Sequence, residues 1–280
     1  MKIEVKNLKY KYEDYSKDNK HALNGCSFSI EENDFLSIVG ETGSGKSTLS
    51  LHLNGLLKAQ SGDIVIDGKS IYDKDYDLNQ LRYKVALVFQ YPEYQLFAET
   101  VLEDVIFGAI NKGVNKELAI EKAKEILYSF GFTDAVFNKM PFMLSGGEKR
   151  KVAIAGILIM EPEVLILDEP EAGLDPISKK ELFLLLKILN EQGKTIIFIT
   201  HNLEDSCEYA KRVLIMKKGE TLACDATYKV FSDEEVLKKA NIVKPDQLLL
   251  IDELKKKGFN FDDKSIKQED IIKEIINNKK

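Results

Sequence analysis

The sequence predicts an α/β fold in which a mainly parallel β-sheet carries helices on its faces. Three short apolar segments, at residues 35–39, 164–167 and 195–200, have the length and composition of buried strands. Segments with helical spacing lie between them, and strands that alternate with helices are typical of a covered parallel sheet. The chain has 280 residues, of which 44% are hydrophobic, and this size favours one main domain with a small appendage over two equal domains.

The elements of the main domain follow from periodicity along the chain. Residues 2–12 alternate apolar and polar side chains, as a strand does, and residues 22–30 predict a second strand. The strand at 35–39 runs into Gly40, after which leucines at helical spacing predict a helix over residues 47–57. The remaining predicted elements are strands at 63–67 and 85–89, a helix at 117–130, a buried helix at 152–160, a strand at 164–167, a helix at 179–189, a strand at 195–200 and a helix at 203–210.

A change of composition near residue 231 predicts a small helical appendage over residues 231–280, after a main domain at 1–230. Ser232 and Glu235 have the spacing of a capping box that opens a short helix. The other helix signals in this region are Pro245 at a first turn, Gly258 at a C-terminus and Ser265 at a third cap.

Charge and composition argue against several classes of protein. The formal net charge of −6 argues against a general nucleic-acid-binding protein, because phosphate contacts need a clustered basic face. The longest apolar run, residues 152–160, is about half of the ~20 residues that a spanning helix needs, and the first residues lack a signal-peptide core. We therefore expect a soluble chain that works at a membrane only through an embedded partner. The spacing of Cys26, Cys207 and Cys224 is unlike that of a metal site and predicts reduced thiols.

Residues 40–47, with the sequence GETGSGKS, match the phosphate-binding pattern G-x-x-x-x-G-K-S in full. Glycines allow backbone N–H groups to turn inward around a polyphosphate, and the helix that follows adds a favourable field. We expect Lys46 to bridge the β- and γ-phosphates, Ser47 to bind Mg²⁺ and Thr48 to donate to the α-phosphate. The predicted nucleotide-binding residues of this loop are Gly40, Glu41, Thr42, Gly43, Ser44, Gly45, Lys46, Ser47 and Thr48.

The strand predicted at 164–167 ends in two carboxylates, Asp168 and Glu169. Charges at the end of a buried strand are costly unless a cation compensates them, and Mg²⁺ on a triphosphate supplies one. We expect Asp168 to hold the metal through water. We expect Glu169 to polarise the attacking water or to accept its proton.

Residues 144–148, with the sequence LSGGE, are called the signature segment below, and they place two glycines just before a predicted helix. Backbone N–H groups and the Ser145 hydroxyl would form a second anion site there. A chain with two anion sites and one nucleotide can bind the same γ-phosphate from both sides of a dimer. The predicted binding residues of this segment are Ser145, Gly146, Gly147 and Glu148.

Together and in this order, these segments resemble the nucleotide-binding subunits of ATP-binding cassette (ABC) transporters, over residues 1–225. The resemblance implies a P-loop NTPase core with a mainly parallel sheet, an N-terminal antiparallel β subdomain and a helical subdomain at about residues 91–160. It also implies ATP and Mg²⁺ as ligands, and ATP hydrolysis coupled to transport across a membrane.

The resemblance assigns further site residues by position. Gln90 matches the glutamine that contacts Mg²⁺ and the attacking water, and Asp175 lies in the loop that crosses to the opposite subunit. His201 matches the switch histidine at the γ-phosphate. Tyr12 is the first choice for stacking on adenine, with Tyr10 and Tyr15 as alternatives, whereas His21 and His52 are interpreted as structural. The implied catalytic residues are Lys46, Gln90, Glu169 and His201, and the implied metal ligands are Ser47, Gln90 and Asp168.

Residues 88–97, 100–108 and 146–156 are similar to the energy-coupling factor (ECF) subgroup of bacterial and archaeal importers for vitamins and transition-metal ions. This implies a peripheral protein at the cytoplasmic face of the membrane. The implied partners are a second ATPase subunit, identical or homologous, a transmembrane coupling subunit and a membrane-embedded substrate-binding subunit, with residues 231–280 as a possible dimer contact and no nucleic acid.

Two positions depart from the subgroup, since Tyr94 replaces an acid and Glu171 replaces a threonine. Glu93 retains an acid, and we expect it to face an arginine of the membrane partner. The alternatives left open are a cassette of another importer class, a small-molecule kinase and a non-hydrolysing regulatory partner. The segment between Ser47 and Ser145 is too short for the long coiled coil of chromosome-associated relatives.

Overall fold

The structure, a computed structural model, describes residues 1–12, 21–262 and 264–277. The strands in this part of the chain are β1 (Ile3–Tyr10), β2 (Leu23–Ile30), β3 (Phe35–Val39), β4 (Ser61–Ile66), β5 (Lys69–Ser70), β6 (Val85–Val88), β7 (Val164–Asp168), β8 (Thr195–Ile199), β9 (Arg212–Lys217) and β10 (Glu220–Ala226).

The α-helices in the same residues are α1 (Lys46–Leu53), α2 (Leu78–Lys84), α3 (Val101–Asn111), α4 (Lys116–Ser129), α5 (Asp134–Phe137), α6 (Gly146–Leu158), α7 (Pro176–Glu191), α8 (Leu203–Tyr209), α9 (Thr227–Ser232), α10 (Glu234–Ala240), α11 (Asp246–Lys256) and α12 (Gln268–Asn277). Two short 3₁₀ helices lie at Pro92–Gln95 and Pro141–Met143. None of the described helices combines the length and apolarity needed to cross a membrane.

The strands form two sheets. An antiparallel sheet has the order β2-β1-β4-β5, and a six-stranded sheet has the order β10-β9-β3-β8-β7-β6. In the second sheet all neighbours are parallel except β9 and the edge strand β10. The predicted α/β fold with a mainly parallel sheet and an N-terminal antiparallel sheet is therefore confirmed.

The six-stranded sheet is buried on both faces, as a parallel sheet requires. All five residues of β3 are buried, and its four apolar residues are divided between two apolar clusters because successive side chains point to opposite faces. Leu36 and Ile38 face the antiparallel sheet, whereas Phe35 packs edge-on against Phe198 of β8 at 5.6 Å between ring centres. Full burial of a phenylalanine contributes about 1.5–3 kcal/mol, so such contacts hold the strand ends in place.

Strand register brings the chemistry together at one edge of this sheet. Val88 is paired with Leu167, and Asp168 is paired with Ile199. The segments that follow β6, β7 and β8 therefore begin side by side, next to the loop that follows β3. The carboxyl ends of parallel strands are where α/β proteins bind their ligands.

The C-terminal helices pack on the same apolar cluster as the sheet, with Phe231, Leu248 and Ile271 among its buried members. The predicted capping box at Ser232 is wrong, because the side chain that caps α10 is Asp233, which accepts from the N–H groups of Glu235 and Val236. Aspartate is among the residues preferred at a helix N-cap because its carboxylate accepts hydrogen bonds from the first N–H groups. Ser232 cannot take this place because it is the last residue of α9.

Candidate active site

The loop after β3 has a backbone that only glycine adopts easily. Gly40 and Gly45 have φ angles of +153° and +102°. A Cβ at Gly40 would lie 2.2 Å from the main-chain oxygen of Met216, and one at Gly45 would lie 2.3 Å from that of Ala22. The loop is thus wedged between the end of β9 and the start of β2, which fixes its path.

Lys46 begins α1, and its ammonium group lies over this loop. Its Nζ donates to the main-chain oxygens of Gly40 at 2.8 Å and Glu41 at 3.1 Å. Burial lowers the pKa of Lys46, although the nearby Glu169 and Asp168 oppose this shift. The Ser44 hydroxyl in the same loop is buried without a hydrogen-bond partner in the described residues. A desolvated cation and an unpartnered hydroxyl beside a glycine loop fit a bound phosphate.

Ser47 and Asp168 form the oxygen pair expected of a magnesium site. A hydrogen bond from Ser47 favours the ionised Asp168 carboxyl, but burial is the larger effect and raises the pKa of Asp168. A hydroxyl and a desolvated carboxylate are hard oxygen ligands, which Mg²⁺ prefers. The donor set therefore fits this cation.

Glu169 lies at the centre of the predicted catalytic residues. Gln90 Nε2 donates to its Oε2 at 2.7 Å, and His201 Nε2 lies 3.0 Å from its Oε1. Glu169 has a φ angle of +47°, which is rare for a residue with a long side chain. This left-handed turn directs the segment away from β7 directly after Asp168, and strained backbone of this kind is concentrated at functional sites.

Two of the three tyrosines considered for adenine stacking lie in the described residues, and they contact different side chains. The Tyr12 hydroxyl lies 3.3 Å from the hydroxyl of Thr48, which follows the glycine loop of residues 40–47. The Tyr12 side chain is 45% exposed. Tyr10 packs edge-on against the buried His52 at 4.7 Å between ring centres. Tyr15 lies outside the described residues. Tyr12 therefore keeps its place as the first choice for adenine.

The signature segment forms a helix start. Ser145 caps α6 by accepting from the N–H of Glu148 at 3.3 Å, and the Glu148 carboxylate accepts from the N–H of Ser145 at 2.8 Å. Gly146 and Gly147 form the first turn of α6, instead of preceding the helix as the sequence analysis expected. Apart from the Glu148 N–H, which Ser145 caps, the N–H groups at the start of a helix have no partner within the helix, and such donors can bind an anion.

Asp175 caps the helix that follows β7. Its carboxylate accepts from the N–H groups of Ile177 at 2.9 Å and Ser178 at 3.0 Å, and also from the Ser178 hydroxyl at 2.6 Å. A Cβ on Gly147 would lie only 2.7 Å from that hydroxyl oxygen. The signature segment and Asp175 therefore meet at Ser178, a residue that the motifs did not single out.

Glu171, the unusual acid of the sequence, has a defined partner. Its carboxylate accepts a hydrogen bond from Thr200, the residue directly before His201. Burial raises the pKa of Glu171, and the nearby Asp205 raises it further. The bond joins the segment after Glu169 to the segment that carries His201.

Glu93 does not face outward as expected. Its carboxylate binds the guanidinium of Arg150 in α6, with Nε at 3.0 Å and Nη2 at 2.7 Å. Glu93 is 13% exposed and Arg150 only 2%. The expectation that Glu93 awaits an arginine of a membrane partner is wrong, because a buried arginine of the same chain already occupies both of its oxygens.

The geometry brings Lys46, Ser47, Asp168, Glu169, Gln90 and His201 to one edge of the sheet. One lysine, two carboxylates and a histidine at such an edge can bind a polyphosphate, hold a divalent cation and orient a water. Fold and site together define a nucleotide-hydrolysing protein of the phosphate-loop class.

Comparison with known proteins agrees with this class. The family model described as ABC transporter matches residues 23–172. The energy-coupling factor transporter ATP-binding protein EcfA2 of Clostridium perfringens is 43% identical over 283 residues, and the match covers 99% of each chain. The protein of the same name from Lactobacillus johnsonii is 42% identical over 279 residues, covering 99% of this chain and 96% of its own.

Two solved structures extend the comparison. The cbiO1 protein of Clostridium perfringens, described as part of the ABC transporter complex cbiONQ, matches with a TM-score of 0.74 and 38% identity, covering 85% of this chain and 94% of its own. The ATP-binding cassette MJ0796, in a dimeric post-hydrolysis state bound to ADP and Pi, matches with a TM-score of 0.70 and 30% identity, covering 80% of this chain and 98% of its own.

The chain belongs to the ABC transporter family and, within it, to the energy-coupling factor transporter ATP-binding proteins. Its enzymatic class is that of an ATPase whose hydrolysis is coupled to transport.

Proposed function

We propose that this chain is the ATP-hydrolysing motor of an energy-coupling factor importer that takes up a vitamin or a transition-metal ion. It would act as a peripheral protein at the cytoplasmic face of a bacterial or archaeal membrane. One observation carries the hydrolytic part of the proposal: the Glu169 carboxylate, with Gln90 and His201 on its two oxygens, stands beside Asp168 and the Lys46 loop.

Each residue of the site has one task in this proposal. Lys46 and the N–H groups of the loop hold the β- and γ-phosphates of ATP. Gln90 and Glu169 orient the attacking water, and Glu169 accepts its proton. His201 donates to the γ-phosphate, where negative charge develops in the transition state. Ser47, Asp168 and Gln90 would hold Mg²⁺, which neutralises charge on the phosphates when bound.

The second half of the site comes from a second cassette, identical or homologous. The N–H groups at the start of α6 and the Ser145 hydroxyl would contact the γ-phosphate of ATP held by the neighbouring chain. Such contacts exist only in the closed pair, so ATP binding favours closure and phosphate release favours opening. The related cassette MJ0796 forms a dimer with ADP and Pi, which supports this arrangement.

A partly apolar groove beside the signature segment suits helices of a transmembrane coupling subunit. A cavity of about 410 Å³ is lined by Tyr94, Phe97, Phe142 and other residues, and a second cavity of about 330 Å³ also has Phe97 in its lining. Tyr94 is 83% exposed and Phe97 is 65% exposed. Exposed aromatic side chains in a groove are typical of protein–protein contacts. Docking would therefore depend on the aromatic side chains of this groove, because the carboxylate of Glu93, which also lines it, is already bound to Arg150.

Replacing Glu169 with glutamine tests the hydrolytic role. The amide keeps the shape of the side chain but cannot accept a proton, so we expect kcat to fall by about 100-fold or more. MgATP affinity, measured by calorimetry, should stay near that of the wild type, and the variant should accumulate as an ATP-bound pair in size-exclusion chromatography. Normal turnover in this variant would contradict the assigned role.

Capture from membranes tests the importer class. Affinity purification of the chain, followed by mass spectrometry, should recover a transmembrane coupling subunit and a small membrane-embedded substrate binder. Recovery of an extracellular or periplasmic substrate binder instead would assign the chain to another class of ABC importer.

A further inference from the structure

Arg150 is a charged side chain that the catalytic scheme does not use, yet it is almost fully buried. Besides the two bonds to Glu93, its Nη1 donates to the main-chain oxygens of Pro170 at 2.6 Å and Ala172 at 2.8 Å. The face of the Tyr91 ring lies 5.8 Å from the guanidinium carbon. A planar guanidinium with donors in a fixed fork can hold several partners at once in a set geometry.

The partners of Arg150 flank the catalytic pair. Tyr91 follows Gln90 directly, and Pro170 follows Glu169 directly. Gln90 and Glu169 are themselves hydrogen-bonded at 2.7 Å, so Arg150 holds the two segments that carry this pair from behind the site. The ring of Tyr91 also packs near Gly173, since a Cβ added at Gly173 would lie 3.3 Å from a carbon of that ring. The segment after Gln90 therefore contacts the segment after Glu169 directly.

Arg150 belongs to the helix that starts with the signature segment. It lies one turn before Ile154 and two turns before Leu158, which are both buried, so it occupies the inward face of α6. A buried ion pair contributes little net stability compared with apolar side chains of the same size. Stability alone therefore does not explain an arginine at this position, whereas a fixed connection between three segments does.

We propose that Arg150 is a positioning residue that couples the signature segment to the catalytic pair Gln90 and Glu169 of the same chain. The inference rests on the proposed function, since the signature segment meets a nucleotide only when two cassettes close over ATP. When the start of α6 binds the ATP of the neighbouring chain, Arg150 moves with the helix. The backbone on either side of Glu169 and Gln90 then follows, and the pair reaches its working geometry.

The experiment uses the full chain with Arg150→Lys and, separately, Glu93→Gln. Lysine keeps the charge but cannot bind both Glu93 oxygens and two carbonyls, and glutamine leaves the arginine without its charged partner. MgATP affinity of the unpaired chain should stay near the wild-type value because the Lys46 loop is unchanged. Turnover of the pair should fall roughly 10- to 100-fold, since a shift of about 1 Å in reacting groups has this effect. The ATP concentration that drives pairing should rise.

Lys151→Gln is the matched control. Lys151 is the next residue of α6, and its Nζ lies 2.6 Å from the Glu181 carboxylate of α7, so the variant breaks a connection of the same helix away from the catalytic pair. We expect its turnover and pairing to match the wild type. The double variant Glu93→Gln with Arg150→Lys should lose no more turnover than the more impaired of the two single variants, because both changes break one link.

Wild-type turnover in both Arg150→Lys and Glu93→Gln would overturn the proposal, as would an equal loss in Lys151→Gln. Should Arg150→Lys fail to fold by circular dichroism, Glu93→Gln decides alone. A loss of MgATP affinity in the unpaired chain that matches the loss of turnover would also overturn it. If the wild-type chain neither pairs with a cassette partner nor hydrolyses ATP, the proposed function fails instead, and the wild-type measurements reveal this separately.

Discussion

Lys46 is a cation that the fold keeps away from water and away from any salt bridge in the described residues, with two main-chain oxygens as its hydrogen-bond partners. Burial penalises its charge, so the ammonium is poised to gain from a phosphate anion. The buried charge therefore lowers the stability of the free protein, and we expect it to raise the affinity for a phosphate ligand.

Replacing Lys46 with alanine should therefore weaken binding and leave the fold intact. We expect the Kd for MgATP to rise about 10- to 100-fold, the range for loss of a charge-assisted hydrogen bond. The melting temperature of the free chain should not fall, because a desolvated charge is removed. Lys74→Ala, at an exposed lysine, is the control for calorimetry. Unchanged affinity in Lys46→Ala would refute the assigned role.

The residues proposed to contact phosphate were predictable because the spacing of their motifs is set by the ligand. Gly40, Lys46 and Ser47 must stand at fixed intervals to surround a polyphosphate, so the sequence carries that geometry directly. Arg150 was missed for the opposite reason. It stands between Lys149 and Lys151 and looks like part of a solvated charged run, although its spacing to Ile154 places it on the buried face.

At the scale of elements, caps decide where helices begin. The helix predicted at 152–160 starts at Gly146, because the box of Ser145 and Glu148 outweighs two residues of low helix propensity. The hairpin of β9 and β10 was not predicted, because the sequence of β10, ETLACDA, has no regular alternation of apolar and polar residues. The turn after β9, which holds Lys218 and Gly219 at positive φ, was the available signal.

Asp233→Ala tests which residue caps α10. Loss of the two hydrogen bonds that Asp233 accepts should lower the free energy of unfolding by about 1 kcal/mol, measured by urea denaturation. Ser232→Ala, at the neighbouring position, should change it by less than about 0.5 kcal/mol. The reverse order would restore Ser232 as the cap. ATP turnover should be unaffected in both variants.

At the scale of the whole molecule, the order of strands in the sheet could not be predicted from the sequence. Alternation of strands and helices predicted a parallel sheet, but the position of β3 between β8 and β9 depends on contacts far apart in the chain. Glu93 shows the same limit, since its partner lies 57 positions away and only the packed fold brings them together. The extents of the ATPase domain at 1–230, its helical subdomain at about 91–160 and the C-terminal region at 231–280 stay predictions.

The groove around Phe97 should govern capture of the membrane partner without affecting hydrolysis. Phe97→Asp places a charge where aromatic side chains are exposed, and we expect at least about tenfold weaker recovery of the coupling subunit, as for loss of a central interface residue. Turnover of the paired cassettes in solution should be unchanged. Ile188→Asp, at an apolar residue of α7 that is 51% exposed, is the control and should recover the partner normally. Equal recovery with both variants would exclude the groove as the docking site.

The left-handed backbone at Glu169 has a consequence for attempts to make this protein more robust. Glycine adopts that conformation without steric cost, so a screen that rewards heat resistance alone would favour the substitution Glu169→Gly. We expect that Glu169→Gly variant to resist heating but not to hydrolyse ATP. Directed evolution of this motor therefore has to select for turnover at every round, because the strained position is the one on which we propose that hydrolysis depends.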